Sequence, residues 1–175
     1  FRRVLFRSLK NLNVYSSDLT SLDLTDLVNL EQLNAGENGL TSIDLSDAEK
    51  LFNLNLSNNS LTSITLPTSL TSTNSEFVFN FYSNDLDTNE INSILQTLDS
   101  YTMVTGSVYK LYIAGGTNEA PSGTGTIALA SLIDKGWEVD ISTPYPIITS
   151  FDPGSGLVGS SVTITGHYFT NVTYV

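Results

Sequence analysis

The chain of 175 residues is 40% apolar, enough to bury a core of one domain or one and a half, and composition does not mark it as disordered. Eighteen acidic residues against seven basic ones give a net charge of −11, which argues against nucleic acid or an anionic membrane surface as partner. The absence of cysteine excludes a disulfide framework and a thiolate metal site, the single His167 excludes a multi-histidine centre, and no apolar run reaches the roughly 18 residues of a membrane span.

Residues 1–8, FRRVLFRS, resemble the translation of a sequencing-library adapter and do not fit the repeat that begins at Leu9, so they are expected to be non-native. Setting them aside leaves four lysines as the only basic residues. From Leu9 three stretches repeat at a spacing of 21 residues: LKNLNVYSSDLTSLDLTDLVN, LEQLNAGENGLTSIDLSDAEK and LFNLNLSNNSLTSITLPTSLT. Apolar columns stay in register through Leu12, Leu33 and Leu54, through Val14, Ala35 and Leu56, through Leu19, Leu40 and Leu61, and through Leu22, Ile43 and Ile64. Self-similarity at that period predicts stacked turns of chain that share a core.

Within each unit the segment x-L-x-L-x alternates, which predicts one short strand per turn, paired in parallel with its neighbours. The return through L-T-S-L/I-D/T-L is too short for a full α-helix and reads as 3₁₀ turns or extended chain. Asn38 and Asn59 fall at one step after the strand, Asn84 fits that step in the next unit, and Ser17 stands there in the first. An asparagine there can donate and accept at once, satisfying backbone groups where the chain turns off the sheet.

After Leu66 the period stretches, and Phe79 and Phe81 resume the strand pattern 25 residues beyond Leu54 and Leu56. A helix is predicted next: Asp87 and Glu90 read as a capping pair, and Ile91, Ile94, Leu95 and Leu98 make one apolar face. Strand returns at Val108 to Ile113, a second helix is expected at Thr126 to Asp134 with Gly136 ending it, and a last strand at Trp137 to Ile141. Beyond Ser142, Thr143, Pro144 and Pro146 read as a linker.

The motif L-x-x-L-x-L-x-x-N-x-L is carried by LFNLNLSNNSL, Leu51 to Leu61, and the chain resembles leucine-rich-repeat proteins of the short bacterial, internalin-like type. The GW-x-V strand at Gly136 to Val139 is similar to the closing unit of such domains. The resemblance implies an α/β solenoid over residues 9–143, a horseshoe with a parallel concave sheet. Residues 144–175 resemble the start of an IPT/TIG domain through Pro153, Gly156, Gly159, Val162, Ile164, Gly166 and Phe169, which implies an incomplete immunoglobulin-like β-sandwich at the C-terminus.

Other motifs carry less. Gly154, Gly156 and Gly159 satisfy G-x-G-x-x-G, but the following SSVTITG alternates as a strand, whereas a dinucleotide site needs a helix. The glycine-rich stretch from Ala114 lacks the lysine and hydroxyl of a phosphate loop and reads as a strand-to-helix connection. Asp23, Asp26, Asp44 and Asp47 recur with the repeat and read as turn caps on a solvated edge rather than a calcium site. Glu90 and Asp99 have no partner acid in view, and His167 is expected in a loop of the truncated sandwich. No catalytic residue, metal site or cofactor is assigned.

The outward strand positions are Asn11, Asn13, Tyr15, Gln32, Asn34, Asn53, Asn55, Ser57, Asn80 and Tyr82, continued by Lys110, Tyr112, Glu138 and Asp140. Amides and tyrosines on a rigid sheet suit a protein or glycan partner. The expected function is non-catalytic: an extracellular or cell-surface recognition module of a bacterial protein, acting in adhesion or protein–protein contact. The alternatives are accessory modules of a larger secreted hydrolase, or a structural spacer.

Overall fold

The computed structural model describes residues 6–141, 147–157 and 159–167. Of the features read from sequence, the linker residues Thr143, Pro144 and Pro146, the Phe169 of the C-terminal motif and most of the leading segment lie outside the described residues.

Six strands form one parallel sheet: β1 (Asn11–Asn13), β2 (Gln32–Asn34), β4 (Asn53–Asn55), β6 (Glu76–Asn80), β7 (Val108–Tyr112) and β8 (Glu138–Asp140). One column threads them all, Leu12 beside Leu33, Leu54, Phe79, Leu111 and Val139. The offset of 21 residues holds for the first two steps and widens to 25 at Phe79, as the alternation predicts. The return segments are extended, not 3₁₀: β3 (Ser42–Asp44) pairs in parallel with β5 (Ser63–Thr65) as a second, two-stranded sheet. With two helices beside it, the six-stranded sheet makes an α/β arrangement.

The apolar columns meet in a single core in which Leu33, Leu54, Phe79, Leu111, Leu40, Leu61, Ile43 and Ile64 are buried. Burial is graded along the chain. In the first unit Leu9, Leu12, Val14, Leu19 and Leu22 are only partly covered, because among the described residues β1 has a neighbour on one side alone.

Helix α1 (Thr88–Ser100) starts where predicted, with the Asp87 Oδ1 accepting the Glu90 N–H at 2.8 Å and Ile91, Ile94, Leu95 and Leu98 buried. The capping pair is one-sided, however. Glu90 does not reach back to Asp87; its Oε1 instead accepts the Ile64 N–H at 2.7 Å and so blocks the outer edge of β5. Helix α2 (Thr124–Asp134) begins two residues earlier than expected. Trp137 lies just ahead of β8, buried on Tyr109 (centroids 5.0 Å) and Phe79 (6.3 Å), and its indole N–H points at the Met103 sulfur 3.2 Å away. Phe77 stacks flat on Tyr109 at 4.7 Å, extending this aromatic column along two strands.

Tyr101 follows α1 and donates its hydroxyl to the Pro67 carbonyl at 2.6 Å inside the core. Burial pushes its phenol well above the ordinary tyrosine value. Because the folded form resists ionising while the unfolded chain loses its proton near about pH 10, the stabilisation is complete below that pH and is lost above it. Urea midpoints should therefore fall from about pH 9.5 to 11, and Tyr101→Phe should flatten that fall; an equal fall in both proteins would place the titration elsewhere.

Strands β9 (Ile147–Asp152) and β10 (Thr163–His167) form an antiparallel hairpin with a register shift at Thr165/Gly166. The stretch holding Gly154, Gly156 and Gly159 joins them, so strand rather than helix comes after it. His167 was expected in a loop but ends β10 opposite Ile147, because the alternating run continues through it. Phe151, Leu157, Val162 and Ile164 are all exposed, so these two strands bury no core of their own among the described residues.

Candidate functional site

The alternation that buries Leu33 and Leu54 turns their neighbours to the opposite side of the sheet. Parallel register gathers those neighbours into rows. One runs Asn11, Gln32, Asn53, Val78, Lys110, Glu138; the next runs Asn13, Asn34, Asn55, Asn80, Tyr112, Asp140. A third row, Tyr15, Gly36, Ser57, Tyr82 and Ala114, is aligned by backbone bonds just beyond the strands, from Ser16 to Gly36, Glu37 to Ser57, Asn58 to Tyr82 and Ser83 to Ala114. The sequence-predicted residues thus do share one face. Asn11, Asn13, Tyr15, Gln32, Asn53 and Tyr82 are exposed, and Asn34, Asn55 and Asn80 are half-buried. Ser57 is the correction. It is 7% exposed, its hydroxyl donating to the Asn55 Oδ1 at 2.8 Å, so a small side chain between taller ones is withdrawn from the surface.

The asparagines recur for a local reason. In each of four strands the Oδ1 accepts the backbone N–H two residues on: Asn13 from Tyr15 at 3.1 Å, Asn34 from Gly36 at 3.4 Å, Asn55 from Ser57 at 3.1 Å and Asn80 from Tyr82 at 3.0 Å. Each amide closes an Asx turn that ends its strand. A backbone N–H can only donate, so the atom facing it must be the oxygen, and every Nδ2 is aimed away from that turn.

Both tyrosines are held. Glu37 beside the Tyr15 phenol raises its pKa. The Tyr82 ring lies over Gly115, where a Cβ would stand 2.6 Å from the ring; Gly115 also has φ of 78°, so no other residue serves there without moving the tyrosine. Further along, Lys110 pairs with Glu76 at 2.9 Å, and the carboxylate raises the lysine pKa. Lys10 pairs with Glu31 at 2.7 Å at the other end. Compared with protein-family models, with curated proteins and with solved structures, the chain has no match.

The second asparagine series is structural, as its position implied. Asn38 accepts the Ser17 and Leu19 N–H groups and donates to the Val14, Ala35 and Gly36 carbonyls. Asn59 and Asn84 repeat this toward Leu40 and Leu61. Asn118 is a fourth member that the sequence reading missed: its Oδ1 takes the Leu86 N–H at 3.0 Å and its Nδ2 donates to the Phe81 and Ile113 carbonyls. The signal was a further asparagine after a strand, at Asn118, displaced by the inserted helix.

The recurring aspartates act on turns too. Asp23 accepts the Thr25 N–H, Asp44 the Ser46 N–H and Asp47 the Asp26 N–H. The backbone bond from Ser46 lowers the Asp44 pKa. Among the described residues no group of three His, Cys, Asp or Glu side chains is placed to hold a metal ion, and no helix is long and apolar enough to cross a membrane.

Proposed function

We propose that residues 9–143 form a leucine-rich-repeat solenoid whose amide-and-tyrosine face is its concave, partner-binding surface. The 21-residue register, the shared apolar column and the asparagine series at each turn support that reading. On it, the protein is a non-catalytic recognition module at the cell surface or outside the cell, engaging a protein or glycan in adhesion or protein–protein contact. Residues 144–175 are proposed as the opening strands of an IPT/TIG-type sandwich, a reading supported by the antiparallel hairpin and its uncovered apolar side chains.

The observation that carries the binding function is the pair of exposed tyrosines, Tyr15 and Tyr82, 43% and 45% exposed, fixed at two points of a face on which Tyr112 is a third exposed ring. A Tyr15→Ala/Tyr82→Ala double variant of the whole chain should lose partner capture in pull-downs from surface extracts and on glycan arrays while its melting temperature stays within about 2 °C, since exposed side chains contribute little to stability. Capture at the parental level would move the binding site off this face.

A further inference from the structure

We infer that this face takes an uncharged glycan chain, an inference that rests on its being the binding surface. Three observations converge. First, from β1 through β4 the two outward strand rows contain amides alone, although the chain as a whole carries eighteen acidic residues and seven basic ones. Of the nearest ions, Lys10 is paired with Glu31, and Glu37 lies beside the Tyr15 phenol rather than on these strands. An occupant with formal charges would find no counter-charge on these strands, and burying a charge without one is costly.

Second, the hydrogen-bonding capacity left over has a direction. The Asx turns consume the Oδ1 atoms of Asn13, Asn34 and Asn80, and among the described residues their Nδ2 groups donate to nothing. Across strands spaced about 4.8 Å apart these form a ledge of neutral N–H donors on β1, β2 and β6, interrupted at β4, where the Asn55 Nδ2 donates to the Asn34 Oδ1. Such a ledge matches a ligand lined with neutral oxygen acceptors, as hydroxyl and ring oxygens of a sugar chain are.

Third, beside the ledge stand two flat rings. In the third row only Gly36 and Ser57 separate Tyr15 from Tyr82, so the two lie three strand spacings apart, roughly 14 Å. The faces of pyranose rings are apolar C–H surfaces that stack on aromatic rings, and two such platforms bracketing a run of donors suit an extended oligosaccharide. A peptide is favoured less. Strand addition needs a free sheet edge, and side-chain recognition needs apolar pockets, whereas here the ground between the rings is a glycine, a buried serine and the Asn55 amide lying over Gly36.

The test uses the whole chain with arrayed oligosaccharides of glucose, N-acetylglucosamine and mannose, sulfated and uronate oligosaccharides beside them, and a panel of uncharged peptides. Hits are then measured by calorimetry. Asn34→Asp and Asn80→Asp keep the turn-closing oxygen and replace the free donor with a charged acceptor. Both should weaken binding to a neutral oligosaccharide at least tenfold at unchanged melting temperature, and Tyr82→Ala should abolish it. Preference for the charged oligosaccharides, or capture of peptides with the same variants blocking it, overturns the glycan assignment and leaves the face as the binding surface. Neutral glycans bound equally by all three variants overturn both. No binding from any panel overturns the glycan assignment, and the tyrosine pull-down then decides the face alone.

Discussion

Replacing Asn84 by leucine should lower the unfolding free energy by about 3 kcal/mol, several times the effect of an ordinary surface change. The side chain is 1% exposed, accepts the Leu61 N–H at 3.1 Å and donates to the Leu56 and Phe81 carbonyls at 3.1 and 3.0 Å. Leucine fills a similar volume but leaves the Leu61 N–H unpaired, at about 1–3 kcal/mol where water cannot reach it, and takes one of two amide donors from the Leu56 and Phe81 carbonyls, which keep Asn59 and Asn118. Asn59→Leu removes the same kind of bonds from a half-buried site, so water can substitute and the loss should be about half as large. Urea unfolding followed by fluorescence measures both. An Asn84→Leu midpoint equal to the parent's would show that the Leu61 N–H finds another partner and that the asparagine is dispensable.

The second large effect is expected at Phe79. Its ring is 2% exposed, occupies the shared column between Leu54 and Leu111, and supports Trp137 at 6.3 Å. Phe79→Ala should cost about 4 kcal/mol, because the rigid strands on either side cannot collapse into the space left. Trp137 is the only tryptophan, so its emission reports directly on this corner. The variant should unfold at lower urea and emit at longer wavelength even when folded, as water enters beside the indole. Phe79→Leu, which keeps most of the volume, should lose less than half as much. Emission unchanged in folded Phe79→Ala would mean that Tyr109 alone fixes the indole.

Much of the six-stranded sheet was legible in the chain because each unit repeats its apolar residues at constant spacing, and a one-residue slip would turn Leu33 and Leu54 outward. Alternation likewise separated the face residues from the core. What alternation cannot see is height. Ser57 has the same parity as Tyr15 and Tyr82, yet its hydroxyl folds onto Asn55 and leaves the surface. Nor does it see bonds between units: Glu90 satisfied a local capping pattern in sequence, but the Ile64 N–H lies within its reach in space. Asn118 escaped for a related reason, since the helix inserted between the turns breaks the constant spacing that made Asn38 and Asn59 visible. The Phe77 and Tyr109 stack joins residues 32 apart, a separation no periodic reading tests.

The uneven covering of the two ends gives the molecule a preferred direction of dismantling. At the Trp137 end, peeling away β8 with the residue before it means separating an indole from two other rings and from a sulfur. At the other end, β1 is three residues long and its Leu12 is already partly wet, so its departure exposes little that was dry. Removing it merely makes β2 the new outermost strand. Heat or tension is therefore expected to open the chain from Asn11 toward the helices, with the aromatic corner the last part to come apart.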